Sequence, residues 1–97
     1  MIQIAEFPVL IDKSLVINLS FPVDEVLPET DKIAKRRHDL MKALSLGNLD
    51  HAKVKILFRD NQGLKVVETT VWAVTDQRIV LKSGTTMPIH RIVEVII

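Results

Sequence analysis

The segment HAKVKILFRD, residues 51–60, alternates between apolar and basic side chains, and this pattern limits the possible folds of the chain more than any other. Apolar residues stand at every second position from Ala52 to Phe58, and Lys53, Lys55 and Arg59 stand on the opposite parity. Successive side chains of a strand point to opposite faces, so this period predicts a β-strand with one buried face and one basic face. Further strands are then needed to cover the apolar face.

The rest of the C-terminal half predicts those strands. The segment DNQG favours a hairpin turn, and residues 64–75 form a long run rich in β-branched residues. The alternation within this run breaks near Glu68-Thr69-Thr70, which is typical of a bend or bulge. Three more short strands are predicted at 78–82, 86–90 and 91–97, and the last should place Val93, Val95 and Ile97 on one face.

Residues 30–46 have the pattern of an amphipathic helix. An apolar stripe recurs at helical spacing, and charged residues, among them Arg36, occupy the other side. Thr30 or Asp31 is predicted to cap the N-terminus, and Gly47-Asn48 is predicted to end the helix. A small sheet hides its edges by curling into a barrel, and the helix would then cover one open end of it.

Residues 1–29 differ from the rest of the chain. They contain three of the four prolines, which argue against a helix, and the alternation in SLVINLS, residues 14–20, suits one strand. The formal charge is −4 over residues 1–30 and +5 over residues 31–97. We expect residues 1–29 to be a peripheral or partly disordered arm, and residues 30–97 to form the domain.

The composition of the chain excludes several kinds of function. A chain of 97 residues without cysteine forms one domain without disulfides or thiolate metal sites. It contains no apolar run of about 20 residues and no basic signal-peptide start, so we expect a cytoplasmic protein without a membrane partner. The three histidines lack metal-ligand spacing, and no glycine-rich phosphate loop or nucleophile elbow occurs. We therefore expect no enzyme activity, no metal and no cofactor.

The order of elements resembles the Sm-like small barrel over residues 30–97. The closing segment MPIHRIVEVI is similar to the IP-x-HRI ending of small bacterial and archaeal barrel domains linked to RNA, and the chain from Leu40 onward resembles a group of short bacterial proteins. The resemblance implies a mainly β, α+β fold, in which an N-terminal helix precedes a five-stranded, strongly bent antiparallel barrel. The uridine-pocket signature of the Sm family is not reproduced: Asn61 and Arg91 are present, but no glycine follows Arg91.

Six basic residues are candidates for a nucleic-acid site. Cations that recur along a strand match a phosphate backbone, which predicts RNA or single-stranded nucleic acid as the partner; Lys65 and Arg78 would extend the set. The alternative is a solvated outer face that keeps an edge strand from aggregating, on a protein-interaction or self-association module that forms a homo-oligomer. The candidates are Lys53, Lys55, Arg59, Lys82, His90 and Arg91.

Two further positions leave alternatives open. His90-Arg91 is either a pair that holds a phosphate or the corner between the last two strands. Trp72 is either an exposed stacking platform or, as is commoner for a tryptophan between small apolar residues, part of the core.

Overall fold

The structure, a computed structural model, describes residues 6–97. The described chain contains one α-helix, two short 3-10 helices and seven strands. Within residues 6–97, none of the helices combines the length and the apolar composition that spanning a bilayer requires. The elements are β1 (Val9–Ile11), a 3-10 helix (Lys13–Asn18), α1 (Thr30–Asp50), β2 (Val54–Arg59), β3 (Leu64–Thr69), β4 (Val71–Val74), β5 (Arg78–Leu81), β6 (Thr86–Pro88), a second 3-10 helix (Ile89–Arg91) and β7 (Ile92–Ile96).

The strands form two sheets. One has the order β1-β3-β2-β7 and the other the order β4-β5-β6. The fold is therefore α+β and mainly β, as the sequence predicts. Neither sheet closes on itself, because β1 and β7 are the edges of the first sheet and β4 and β6 are the edges of the second. The five-stranded barrel is not confirmed.

The alternation in β2 holds for most of its side chains. Val54, Ile56 and Phe58 are buried and Lys55 is exposed, as predicted, whereas Arg59 and the preceding Ala52 are half-buried. The last strand departs from its predicted period, because the pairing of β2 with β7 shifts register between Leu57 and Phe58. This irregularity buries Ile92 and Val95 and leaves Val93 and Ile97 outside the buried core.

The predicted break in residues 64–75 joins the two sheets. β3 ends at Thr69 and β4 begins at Val71, so only Thr70 separates a strand of one sheet from a strand of the other. A register shift between Val71 and Ala73 follows the bend. The two sheets are thus linked by one strongly bent segment, and their inner faces share one core.

The N-terminal region takes more part in the fold than a peripheral arm would. β1 pairs in parallel with β3 at the edge of the four-stranded sheet, and Val16 is buried in the core. The segment predicted as a strand is instead a 3-10 helix, whose first turn is capped because Asp12 accepts a hydrogen bond from the Ser14 amide at 2.8 Å. Residues 1–5 of the predicted arm lie outside the described residues.

The helix α1 begins and ends differently from the prediction. Glu29 occupies the N-cap position without a side-chain hydrogen bond, and the helix continues through Gly47-Asn48 to Asp50. His51 ends it in the left-handed conformation, with a φ of 53°. Gly47 is instead buried where the helix crosses β4, and a Cβ atom built there would lie 2.6 Å from the Val71 carbonyl oxygen.

We expect Gly47→Ala to destabilise the protein by about 1–3 kcal/mol, because the added methyl group collides with backbone that has little room to move. In an exposed helix interior the same substitution would stabilise by up to about 1 kcal/mol. Urea unfolding followed by circular dichroism measures the difference. Asn48→Ala, at the exposed neighbouring position, is the control and should leave stability unchanged or slightly higher. A Gly47→Ala variant that is more stable than the parent would contradict the close crossing.

Candidate nucleic-acid interface

The structure does not gather the six predicted residues on one face. Lys53 precedes β2, while Arg59 ends it, and a strand rises about 3.4 Å per residue, so about 20 Å of strand separates the two. Lys82 lies in the turn between β5 and β6. His90 and Arg91 form the second 3-10 helix, which is the predicted corner between the last two strands.

The Arg91 side chain is hydrogen-bonded within the chain. It is buried, Nε donates to the Arg59 carbonyl oxygen at 3.1 Å, and Nη1 donates to the Asp24 carbonyl oxygen at 2.9 Å. The guanidinium thereby ties the corner to the end of β2 and to the N-terminal region. These bonds occupy donors that a phosphate would need.

The basic face of β2 is largely neutralised by neighbouring carboxylates. Arg59 Nη2 lies 2.7 Å from Glu6 Oε1, and this hydrogen bond lowers the pKa of Glu6 below its usual value. Lys55 stands directly opposite Glu68 in the ladder with β3. Opposite charges across a ladder attract each other, so this face presents little net positive charge to a polyanion.

Exposed cations and an exposed aromatic ring lie near the bend at Thr70, between β3 and β4. Lys53 and Lys82 are both exposed, and the Lys82 amide donates to the Thr70 carbonyl oxygen at 3.0 Å. Thr70 lies next to Thr69, which pairs with Val54, so both lysines lie near the bend. Trp72 is 50% exposed rather than part of the core, because the bulge in β4 turns it outward.

A polar pocket of about 490 Å³ lies beside His90. The turn between β4 and β5 supplies one wall, and the Ile89 amide donates to the Gln77 carbonyl oxygen at 2.9 Å, which fixes that turn against the corner. His90 Nε2 lies 3.0 Å from the Pro22 carbonyl oxygen; a carbonyl only accepts, so Nε2 carries the proton. The lining residues are Val23, Glu25, Arg36, Asp76, Gln77, Arg78, Pro88, Ile89 and His90.

Arg36 also lines this pocket, which the sequence did not predict. Its side chain is 4% exposed, Nη1 and Nη2 donate to the two carboxylate oxygens of Glu25 at 2.7 and 2.6 Å, and Nη1 also donates to the Ile92 carbonyl oxygen. Nε has no hydrogen-bond partner among the described residues. The Arg36 guanidinium holds the pKa of Glu25 below its usual value. The Glu25 carboxylate therefore offsets the charge of Arg36, which adds little net charge to the pocket.

Arg78 connects this pocket to a second one. It is exposed, its Nε donates to Thr86 Oγ1 at 3.0 Å, and it also lines a pocket of about 320 Å³ beside the first 3-10 helix. That second pocket includes Ile17 and Phe21, which offer apolar surface. A chain-like ligand that occupied both pockets would pass over one guanidinium.

The sequence predicted only part of this arrangement. His90 was a candidate and Arg78 was an extension of the basic set, but Asp76 and Gln77, which lie between the predicted strands at 64–75 and 78–82, were not candidates. The one available signal was their place in a polar turn immediately before a basic strand. Nothing in the sequence shows that this turn packs against the corner at residues 89–91.

Among residues 6–97 no group of three or more histidine or acidic side chains is placed to hold a metal ion. Comparison with protein-family models, with curated proteins and with solved structures finds no match to this chain. The resemblance to the Sm-like family stays a prediction.

Proposed function

We propose that this chain is a cytoplasmic, non-enzymatic binding module of the small-barrel type, and that its ligand is RNA or another single-stranded nucleic acid. The observation that carries the proposal is the polar pocket beside His90, formed where the turn Asp76-Gln77 meets the corner of the last two strands. The bent segment β3–β4, which joins the two sheets through Thr70 alone, supports the small-barrel comparison.

The pocket offers the groups that read an unstacked base. Gln77 has both a donor and an acceptor on its amide, and Asp76 has two acceptors, so the two match the mixed edges of bases. A volume of about 490 Å³ lies within the usual range of ligand pockets. Single-stranded RNA is usually recognised through splayed bases that stack on aromatic rings or guanidinium planes and are hydrogen-bonded at their edges. In this pocket Gln77 and Asp76 would supply the hydrogen bonds.

Arg78 is the residue proposed to hold the phosphate. It is exposed at the junction of the two pockets, and its Nη groups make no hydrogen bond within the described residues. Arginine presents a planar fork of donors that fits phosphate oxygens. Lys53 and Lys82 are exposed near the bend and are proposed to add contacts that do not depend on base sequence.

The test is fluorescence anisotropy with labelled ten-nucleotide RNA and DNA strands at two salt concentrations. We expect submicromolar binding at low salt, and Arg78→Ala should weaken it and flatten the salt dependence by about one unit of slope. Gln77→Ala should weaken binding while leaving the slope unchanged, because an amide neutralises no phosphate.

Lys42→Ala is the matched control. Lys42 is exposed on α1 and lines neither of the two pockets, so its loss should leave the affinity nearly unchanged. If none of the strands binds below about 1 µM at low salt, the nucleic-acid proposal fails. If Lys42→Ala weakens binding as much as Arg78→Ala, binding is diffuse and the pocket is not the site.

A further inference from the structure

The strand β5 and the residue that follows it turn two cations to one side of the three-stranded sheet. Ile79 and Leu81 are fully buried, and successive side chains of a strand point to opposite faces. Arg78, Val80 and Lys82 therefore form a row on the outer face, which we call the outer row, and its two cations are exposed. They lie about 14 Å apart along the strand direction.

Trp72 lies beside the outer row. The pairing of β4 with β5 shifts register between Val71 and Ala73, so Trp72 is the extra residue of a bulge, next to the pair that Ala73 makes with Val80. Val71 is fully buried, whereas Trp72 is 50% exposed. The indole ring is therefore on the outer side of the sheet, level with the interval between the two cations.

The charges around this face leave the outer row positive. Asp76 is the only acidic residue in residues 71–88, and Arg37 Nη2 lies 3.9 Å from its Oδ1. Near the bend, Asp50 and Lys53 are both exposed and offset each other. Among the described residues the two cations of the outer row are thus not matched by carboxylates, and this face attracts a polyanion.

The rest of the face argues against an apolar protein partner. Thr86 stands opposite Val80, and its Oγ1 accepts a hydrogen bond from Arg78 Nε at 3.0 Å. Val80 and Ala73 are half-buried, so Trp72 is one exposed ring in a polar, cationic surface and not the centre of a broad apolar patch. Exposed aromatic rings beside cations are the arrangement that binds single-stranded nucleic acid.

We propose that Trp72 is a stacking platform for one unpaired nucleobase, and that Arg78 and Lys82 hold phosphates on either side of that base. This rests on the proposed binding of single-stranded nucleic acid and adds a contact beyond the polar pocket. Arg78 lines that pocket, so a strand held there reaches Lys82 by following β5. The platform should accept any base, because every base has a π-face.

The intrinsic fluorescence of Trp72 tests the contact directly, since the chain has no other tryptophan. Ten-nucleotide RNA and DNA strands should quench the emission with the midpoint that anisotropy gives. An abasic strand of the same length carries phosphates without bases, so it should bind more weakly and without quenching. Binding without quenching, or equal quenching by the abasic strand, would overturn the platform and leave the proposed nucleic-acid function standing. No binding below about 1 µM would remove both.

Substitutions separate stacking from apolar contact and from charge. Trp72→Phe keeps an aromatic face and should retain most of the affinity, whereas Trp72→Leu keeps only apolar surface and should weaken binding at least about fivefold. Neither should alter the salt dependence, but Lys82→Ala should flatten it by about one unit of slope.

Ile96→Ala is the matched control. Ile96 is 45% exposed, close to the exposure of Trp72, but it lies on β7 in the other sheet, so the affinity should not change. A Trp72→Leu variant that binds as tightly as the parent would contradict the platform. Circular dichroism checks the fold of each variant, and if Trp72→Leu does not fold, the quenching of the unsubstituted protein decides.

Discussion

Asp60→Ala should destabilise the protein by about 3–4 kcal/mol, the largest effect we expect from a single polar side chain. The Asp60 side chain is only 1% exposed, and its Oδ2 accepts a 2.6 Å hydrogen bond from Lys65 Nζ. Oδ1 accepts from the amides of Gln62 and Gly63, which fixes the turn between β2 and β3. Alanine removes all three acceptor contacts and leaves Lys65 without its counter-charge. Urea unfolding followed by circular dichroism measures the loss.

Two substitutions sharpen this experiment. Asp60→Asn keeps an acceptor for the turn amides but lacks the negative charge that Lys65 requires. Its free energy of unfolding should therefore lie between that of the parent and that of the alanine variant. Asp50→Ala removes an exposed carboxylate at the end of α1 and should change stability by less than about 0.5 kcal/mol. Equal stability of the Asp60→Ala variant and the parent would show that the turn does not depend on this carboxylate.

Glu25→Ala should cost about 2–3 kcal/mol. It leaves the Arg36 guanidinium, 4% exposed, with the Ile92 carbonyl as its remaining partner. Removing one member of a fully buried pair costs about 3–5 kcal/mol, and the expected loss is smaller here because the Glu25 side chain is 31% exposed. Glu29→Ala is the control, since Glu29 and Lys32 are both more than half exposed and 3.9 Å apart. Thermal unfolding of both variants, compared with the parent, gives the result. A Glu25→Ala variant as stable as the Glu29→Ala variant would contradict a stabilising role for the pair.

Both acidic residues make stability depend on pH in the same direction. Burial raises the pKa of Asp60, but Lys65 and the two turn amides outweigh it, so the pKa lies below the ordinary value of 3.8. The pKa of Glu25 is likewise lowered from 4.5, mainly by Arg36. A lowered folded-state pKa contributes stability above the unfolded-state value, and that stability is lost as pH falls through the folded-state value. The parent should therefore lose stability below about pH 4, and the Asp60→Ala variant should lose less over the same range.

The local patterns predicted the strands well, because a period of two is set by side-chain direction alone. The strand at residues 54–59, the hairpin turn after it and the break near Thr70 all appear where the sequence placed them. The same period misassigned residues 14–20, where the Asp12 cap favours a 3-10 helix. Local alternation cannot show which of two conformations a short apolar segment will take.

The candidate site was predictable only in part. His90 was identified from its motif, but the wall that Asp76 and Gln77 form depends on a contact between the turn and the corner, which only the fold creates. Arg59 and Arg91 were candidates because of their charge, and the structure engages both within the chain. Sequence shows that a side chain is charged, but not whether a neighbour has already bound it.

The α+β class and most strand positions follow from local sequence patterns, because hydrophobic period and turn residues act over a few neighbouring positions. The length of α1 and the role of Gly47 depend instead on tertiary contacts. A glycine after an amphipathic segment is typical of a helix end, but this one lies where α1 crosses β4 with no room for a side chain. The tertiary structure likewise moved Arg36 from the predicted solvent side of the helix into the interior, because Glu25 and the Ile92 carbonyl supply it with partners there. Such partners lie 11 and 56 residues away along the chain, beyond the reach of any local period.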